Sequence, residues 1–261
     1  MKMNVDKMLS GKKILIMGVA NQRSIAWAIA KAFASAGAEL AFSYQNERFK
    51  GKVEKLVEEE MPGSLLLPCD VTEDSAIDTL ASNLKEKWGI LHGVVHSLAY
   101  AKKEELDGKY VNTSREGFLL AQNISAYSLT AVTKRLYPLM KKGGSIITLT
   151  FQGSERVVPN YNVMGVAKAS LEASVRYLAA DLGSMGIRVN AVSAGPIRTL
   201  SAKGVKDFNR LLEGVEEKTP LRRLADADEV AGTALFLASE LSSSVTGTIL
   251  YADCGYNIMG N

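Results

Sequence analysis

The chain has 261 residues, 47% of them hydrophobic and 23% charged, and its 31 Lys and Arg against 28 Asp and Glu leave a net charge of +3. That composition is globular, with enough apolar material for a core that needs no disulfide or metal staple. The small basic surplus argues against a nucleic-acid or membrane-surface partner, and no apolar run is long enough for a transmembrane span.

Met1–Ser10 mixes Lys2, Asn4, Asp6 and Lys7 with apolar residues and lacks the apolar centre of a signal peptide. Lys13–Gly18 (KILIMG) reads as a strand, and Ser24–Ala36 as an Ala-rich helix. Strand Ala38–Tyr44, helix Glu47–Glu60, strand Leu65–Cys69 and helix Glu73–Trp88 follow. Strand Gly93–Leu98 precedes one long helix, Ser114–Tyr137, and strand Ser145–Thr150. The chain continues with helix Asn162–Met185, strand Arg188–Ser193, helix Asp226–Ser239 and strand Thr248–Ala252. Cys69 and Cys254 are far apart and outside any CxxC pair, so reduced thiols in a cytoplasmic protein are expected.

Apolar strands that alternate with helices predict a single α/β domain over residues 1–261: a doubly wound, Rossmann-like parallel sheet with helices on both faces. Ligands of such sheets bind at the carboxyl ends of the strands. Gly18 closes the first strand, and Ser24-Ile25 opens the next helix, which suits a pyrophosphate. A plain turn with an N-cap serine has the same sequence. Gln45 ends the second strand, where the ribose is read. Asp70 and Val71 end the third, with an adenine-side role or an N-cap role for Asp70. Ser97, Leu98 and Ala99 end the fourth and leave room for ribose and nicotinamide. His92 and His96 lie in a strand pattern, where i,i+4 residues do not meet, so no metal site is expected.

Tyr161 and Lys168 are separated by nearly two helical turns and share a face. A Lys near a Tyr favours phenolate and lowers its pKa, and such a Tyr can serve a developing oxyanion. Surface placement of both is the plain alternative. Thr148 is either a support for the nicotinamide side or an ordinary strand threonine. In Gly195-Pro196-Ile197-Arg198-Thr199, the Ile197 backbone and Thr199 hydroxyl suit a carboxamide, or Thr199 caps a helix.

Together, Gly18-Val-Ala-Asn-Gln-Arg-Ser24-Ile25-Ala26, Tyr44-Gln45-Asn46, Cys69-Asp70-Val71, Pro159–Gly165, Lys168–Glu172 and Ser193–Leu200 carry a resemblance across essentially the whole chain. The sequence resembles the short-chain dehydrogenase/reductase superfamily and, within it, the bacterial NADH-dependent enoyl-acyl-carrier-protein reductases. Most of the superfamily carries Tyr-x3-Lys, whereas the Tyr-x6-Lys spacing found here is that of the enoyl reductases. A carbonyl reductase of the same superfamily would show the shorter spacing.

The resemblance implies hydride transfer from NADH, with NADPH an alternative, to the trans-2 double bond of an enoyl thioester on acyl carrier protein. It implies catalytic roles for Tyr161 and Lys168, Lys168 also holding cofactor, and substrate contacts at Tyr161, Ala101 and Phe151. Phe151 stands where many relatives carry Tyr. It also implies a substrate-covering helical segment at about 198–216, in which Lys203, Lys206 and Arg210 meet the acidic carrier, and a homotetramer.

Overall fold

The computed structural model describes residues 7–197, 212 and 214–259. Strands β1 (Lys13–Met17), β2 (Glu39–Tyr44), β3 (Leu65–Pro68), β4 (Gly93–His96), β5 (Gly144–Thr150), β6 (Ile187–Ala194) and β7 (Ile249–Ala252) form one sheet in the order β3-β2-β1-β4-β5-β6-β7. Every pairing is parallel. The order reverses between β1 and β4, which lie side by side with Met17 opposite His96. Such a reversal opens a crevice at the carboxyl edge.

Strand alternation divides the core in two. Ile14 and Ile16 of β1 face helices α1 (Ile25–Ser35), α2 (Glu47–Glu60) and α7 (Ala227–Ala238), packing with Trp27, Phe33, Phe42, Val53 and Val230. Leu15 and Met17 face α3 (Asp74–Trp88), α5 (Ser128–Leu136) and α6 (Asn162–Leu182), packing with Leu80, Leu129 and Leu171. Trp27 and Phe42 meet with ring centroids 5.8 Å apart. Burial of each such side chain contributes about 1.5–3 kcal/mol.

Most elements lie within two residues of their predicted ends. The predicted helix Ser114–Tyr137 is different. It consists of α4 (Arg115–Gln122), a π turn at Asn123–Tyr127, α5 and a 3-10 turn at Tyr137–Leu139. The Ser125 hydroxyl accepts from the Tyr100 N–H at 2.9 Å and donates to the Tyr100 carbonyl at 3.1 Å, tying the π turn to the loop after β4. A π turn of this kind is common at functional sites.

Candidate active site

The carboxyl edge collects the predicted residues. Gly18 follows β1 with φ +97°, and a Cβ there would lie 2.0 Å from the Ser97 carbonyl oxygen. The glycine is required because the β1 and β4 ends touch. Ser24 is the N-cap of α1, but its hydroxyl donates to the Asn21 carbonyl at 2.7 Å and caps nothing. The first turn of α1 contains no acidic residue. Its leading N–H groups, at Ile25 and Ala26, therefore present the positive helix end without a side-chain acceptor. A pyrophosphate fits this end.

Gln45 and Asp70 meet across the β2 and β3 ends, the Gln45 amide donating to Asp70 Oδ2 at 3.0 Å. Asp70 Oδ1 accepts from the Thr72 N–H at 2.9 Å and its hydroxyl at 2.7 Å. Burial opposes the charge, yet these donors hold the Asp70 carboxyl below its ordinary pKa. The N-cap of α3 is Glu73, so the capping alternative for Asp70 is removed. Val71 and Leu98 are half-buried against the second core, and Ile197 against the first. Ser97 and Ala99 flank Leu98 beyond β4, and the Ser97 N–H donates to the Met17 carbonyl at 3.1 Å. Thr199, Lys203, Lys206 and Arg210 lie outside the described residues, as does most of the expected covering segment.

Tyr161 is the N-cap of α6 and stands between two asparagines of positive φ, Asn160 at 63° and Asn162 at 40°. Asparagine tolerates this region better than most residues, and such backbone is concentrated at functional sites. The Phe151 ring meets the Tyr161 ring edge-on, with centroids 5.1 Å apart. Ala101 and Phe118 join Tyr161 on a small apolar cluster that includes Met164 and Ala167.

Lys168 is buried on α6, and its ammonium donates to the Leu149 carbonyl at 2.7 Å. The spacing has a steric cause. A Cβ at Gly165 would lie 2.6 Å from the Gly153 carbonyl oxygen, where the 3-10 turn Gln152–Ser154 presses on α6. No lysine fits at 165, and the cation sits one turn later.

Electrostatics correct one expectation. Tyr161 is not shifted toward phenolate: burial first, and the Glu172 charge second, raise its pKa. Burial lowers Lys168 to about 8, with Glu172 pulling the other way. Thr148 ties β5 to β4. Its hydroxyl donates to the His96 carbonyl at 3.0 Å and lies 3.1 Å from His96 Nδ1. His96 Nε2 is 2.8 Å from the Ser128 hydroxyl. Burial and the Lys168 charge push His96 down to about 3, so it stays neutral. His92 is elsewhere, accepting from the Lys13 N–H at 3.0 Å. Among the described residues no His, Cys, Asp and Glu group is arranged for a metal.

Glu172, one turn beyond Lys168 and only 6% exposed, is the site residue that sequence reasoning missed. Its i,i+4 spacing from the lysine was visible, but its burial was not. A cavity of about 510 Å³ opens at the opposite edge, among Lys12, His92, Lys142, Arg188 and Glu240. None of the candidate residues lines it.

A family model described as enoyl-(acyl carrier protein) reductase matches residues 18–257. The enoyl-[acyl-carrier-protein] reductase [NADH] FabI of Bacillus subtilis strain 168 is 57% identical over 251 residues, covering 96% of this chain and 97% of the relative. The crystal structure of the Bacillus cereus enoyl-acyl carrier protein reductase, with NADP+ and indole naphthyridinone, superposes with a TM-score of 0.96 at 56% identity, covering 98% of this chain and 100% of that one. The Anaplasma phagocytophilum reductase, solved in complex with NAD, superposes with a TM-score of 0.92 at 48% identity, covering 98% and 95%. With a family model across nearly its whole length and relatives above half identity, this chain belongs to the enoyl-acyl-carrier-protein reductase family of the short-chain dehydrogenase/reductase superfamily.

Proposed function

We propose that this chain reduces the trans-2 double bond of an enoyl thioester carried on acyl carrier protein, with NADH as the reductant. The observation that carries the reading is the meeting of an uncapped helix start with the Tyr161–Lys168 pair at one edge of a doubly wound sheet. Full-length likeness to reductases named for this substrate and cofactor supports it.

When bound, NADH would supply a hydride to the β-carbon of the thioester. Negative charge would then gather on the thioester oxygen, and a proton taken from solvent at the α-carbon would complete the saturated thioester. Tyr161, kept protonated by burial and by Glu172, donates a hydrogen bond to that oxygen. Lys168 gives up the Leu149 carbonyl and holds the ribose hydroxyls with its ammonium. The positive end of α6 adds to the stabilisation of the oxyanion. Phe151 and Ala101, grouped with Tyr161, line the acyl side. Gly18, Ser24 and Ile25 receive the pyrophosphate. Gln45, Asp70 and Val71 hold the adenosine side, Ser97, Leu98 and Ala99 the nicotinamide ribose, and Ile197 with Thr199 the carboxamide.

The Gln45 amide is tied to Asp70, and Arg48 is exposed on α2. Exposed Arg48 would suit a 2′-phosphate, but the Tyr44-Gln45-Asn46 stretch and relatives named for NADH favour NADH as the donor, and a higher kcat/KM with NADPH overturns that choice. The exposed Leu119, Tyr127 and Tyr177 of α4, the π turn and α6 support a homotetramer, which light scattering checks. The free thiols Cys69 and Cys254 support a cytoplasmic setting. The deciding assay mixes the protein with a trans-2-enoyl thioester and NADH and follows nicotinamide absorbance. Rapid oxidation is expected. No oxidation with either nucleotide, by a protein that binds one of them, overturns the reading.

A further inference from the structure

Glu172 has no direct part in the reaction above, yet its carboxylate is buried beside the two groups that do. Consecutive residues at the end of β5 fix an i,i+4 pair of α6. The Leu149 carbonyl accepts from Lys168 Nζ at 2.7 Å, and the Thr150 hydroxyl donates to Glu172 Oε1 at 2.6 Å. A glutamine would accept the Thr150 bond equally well, without the cost of a buried charge. The bond alone does not explain a carboxylate at this position.

We propose that Glu172 is a positioning residue of the reductase, whose buried carboxylate, one helical turn from Lys168 and anchored to Thr150 beside the Leu149 carbonyl, supports the Lys168 ammonium. The proposal rests on the enoyl-reductase reading for what that ammonium does.

The surrounding groups leave Lys168 as the one that responds. His96 of β4, held near 3, stays neutral across the working range. Tyr251 of β7 donates to Glu155 Oε1 at 2.8 Å, and its pKa rises to about 12 through burial, Glu155, Glu172 and Asp253. The Asp253 carboxylate accepts the Gly255 and Asn257 N–H groups at 2.9 and 2.8 Å.

The sign follows directly. Glu172 raises the Lys168 pKa against burial and adds to the rise at Tyr161. A neutral residue at 172 lowers the Lys168 value further, so the ammonium is lost at lower pH and the alkaline limb of activity moves acidward. Tyr161, raised first by burial, stays a phenol across that limb.

The test compares wild type with Glu172→Gln, Glu172→Met and Glu172→Asp, each checked for a native circular dichroism spectrum. Two quantities are followed against pH: kcat/KM with NADH and a trans-2-enoyl thioester, and the Kd for NADH from nicotinamide fluorescence, with Lys168→Ala as the variant that has no ammonium to lose. Expected is an acidward shift of about one pH unit in both curves for Gln and Met, and little shift for Asp. Curves that stay at the wild-type position in a folded Gln or Met variant overturn the proposal, as does an Asp variant that shifts as far as the neutral ones. An inactive wild type overturns the enoyl-reductase reading instead, and the pH dependence of NADH binding then decides the charge effect by itself.

Discussion

Helices α1 and α7 lie on the same face of the sheet and both open at its carboxyl edge, joined by a 3.6 Å ion pair between Lys31 and Asp228, yet their first turns are built oppositely. Asp226 accepts from the Glu229 N–H at 2.8 Å while Glu229 accepts from the Asp226 N–H at 3.1 Å, a complete capping box. α1 has neither a side-chain cap nor an acidic residue. The contrast extends to the other helices: α2 is capped by Asn46 and α4 by Ser114, and α3 carries Asp74 in its first turn. α6 resembles α1 in lacking both devices. α5 also lacks both, but it runs on directly from the π turn and has no free start. The two undercapped helices that begin from a loop are the ones whose first turns belong to the candidate site. A helix end that satisfies itself is structural, and one left open is reserved for an outside anion.

Substitutions at these ends sharpen the contrast. The largest effect is expected at α6, where Lys168→Ala lowers kcat/KM on the order of 10³-fold, because a ribose anchor and a buried cation are lost together. Stopped-flow nicotinamide absorbance checks it. Tyr161→Phe keeps the ring contact with Phe151 and removes only the hydroxyl, so a fall of about 10²-fold in kcat with little change in KM for NADH is expected. Ser24→Asp gives α1 the cap it lacks. The KM for NADH should rise about tenfold through repulsion of the pyrophosphate, while the apo protein melts at the same temperature or higher. The smallest kinetic effect belongs to α7. Asp226→Ala should cost about 1 kcal/mol of stability, a Tm drop of roughly 2–4 °C, with kcat/KM unchanged. A loss of activity in the last variant, or none in the first, breaks the division between open and closed helix ends.

The sheet was legible in the sequence because its strands are continuous apolar runs, each ending near the predicted residue. Helix α2 matches its predicted limits, Glu47–Glu60, since charge and apolar period agree along it. The long helix after β4 was legible as helix but not as interrupted, because the π turn depends on Ser125 meeting Tyr100, a contact between distant residues. Tyr161 and Lys168 were legible as a pair, from their spacing and from resemblance. The reason for the spacing was not, since it lies in the approach of Gly153 to Gly165. The direction of the Tyr161 pKa was misread for a related reason. Proximity to a lysine is readable in one dimension, whereas burial and the charge of Glu172 are properties of the packed site.

The uncapped first turn of α1 ties the lifetime of the folded chain to its nucleotide supply. A ligand that binds only the native state at about a hundred times its Kd stabilises that state by about 2.7 kcal/mol. Where proteolysis follows the open population, that is roughly a hundredfold fewer openings. A pool of nicotinamide nucleotide that sank below the binding range would therefore hasten degradation of the apo chain, so that turnover by proteases, and not only flux, would report the nucleotide supply around it.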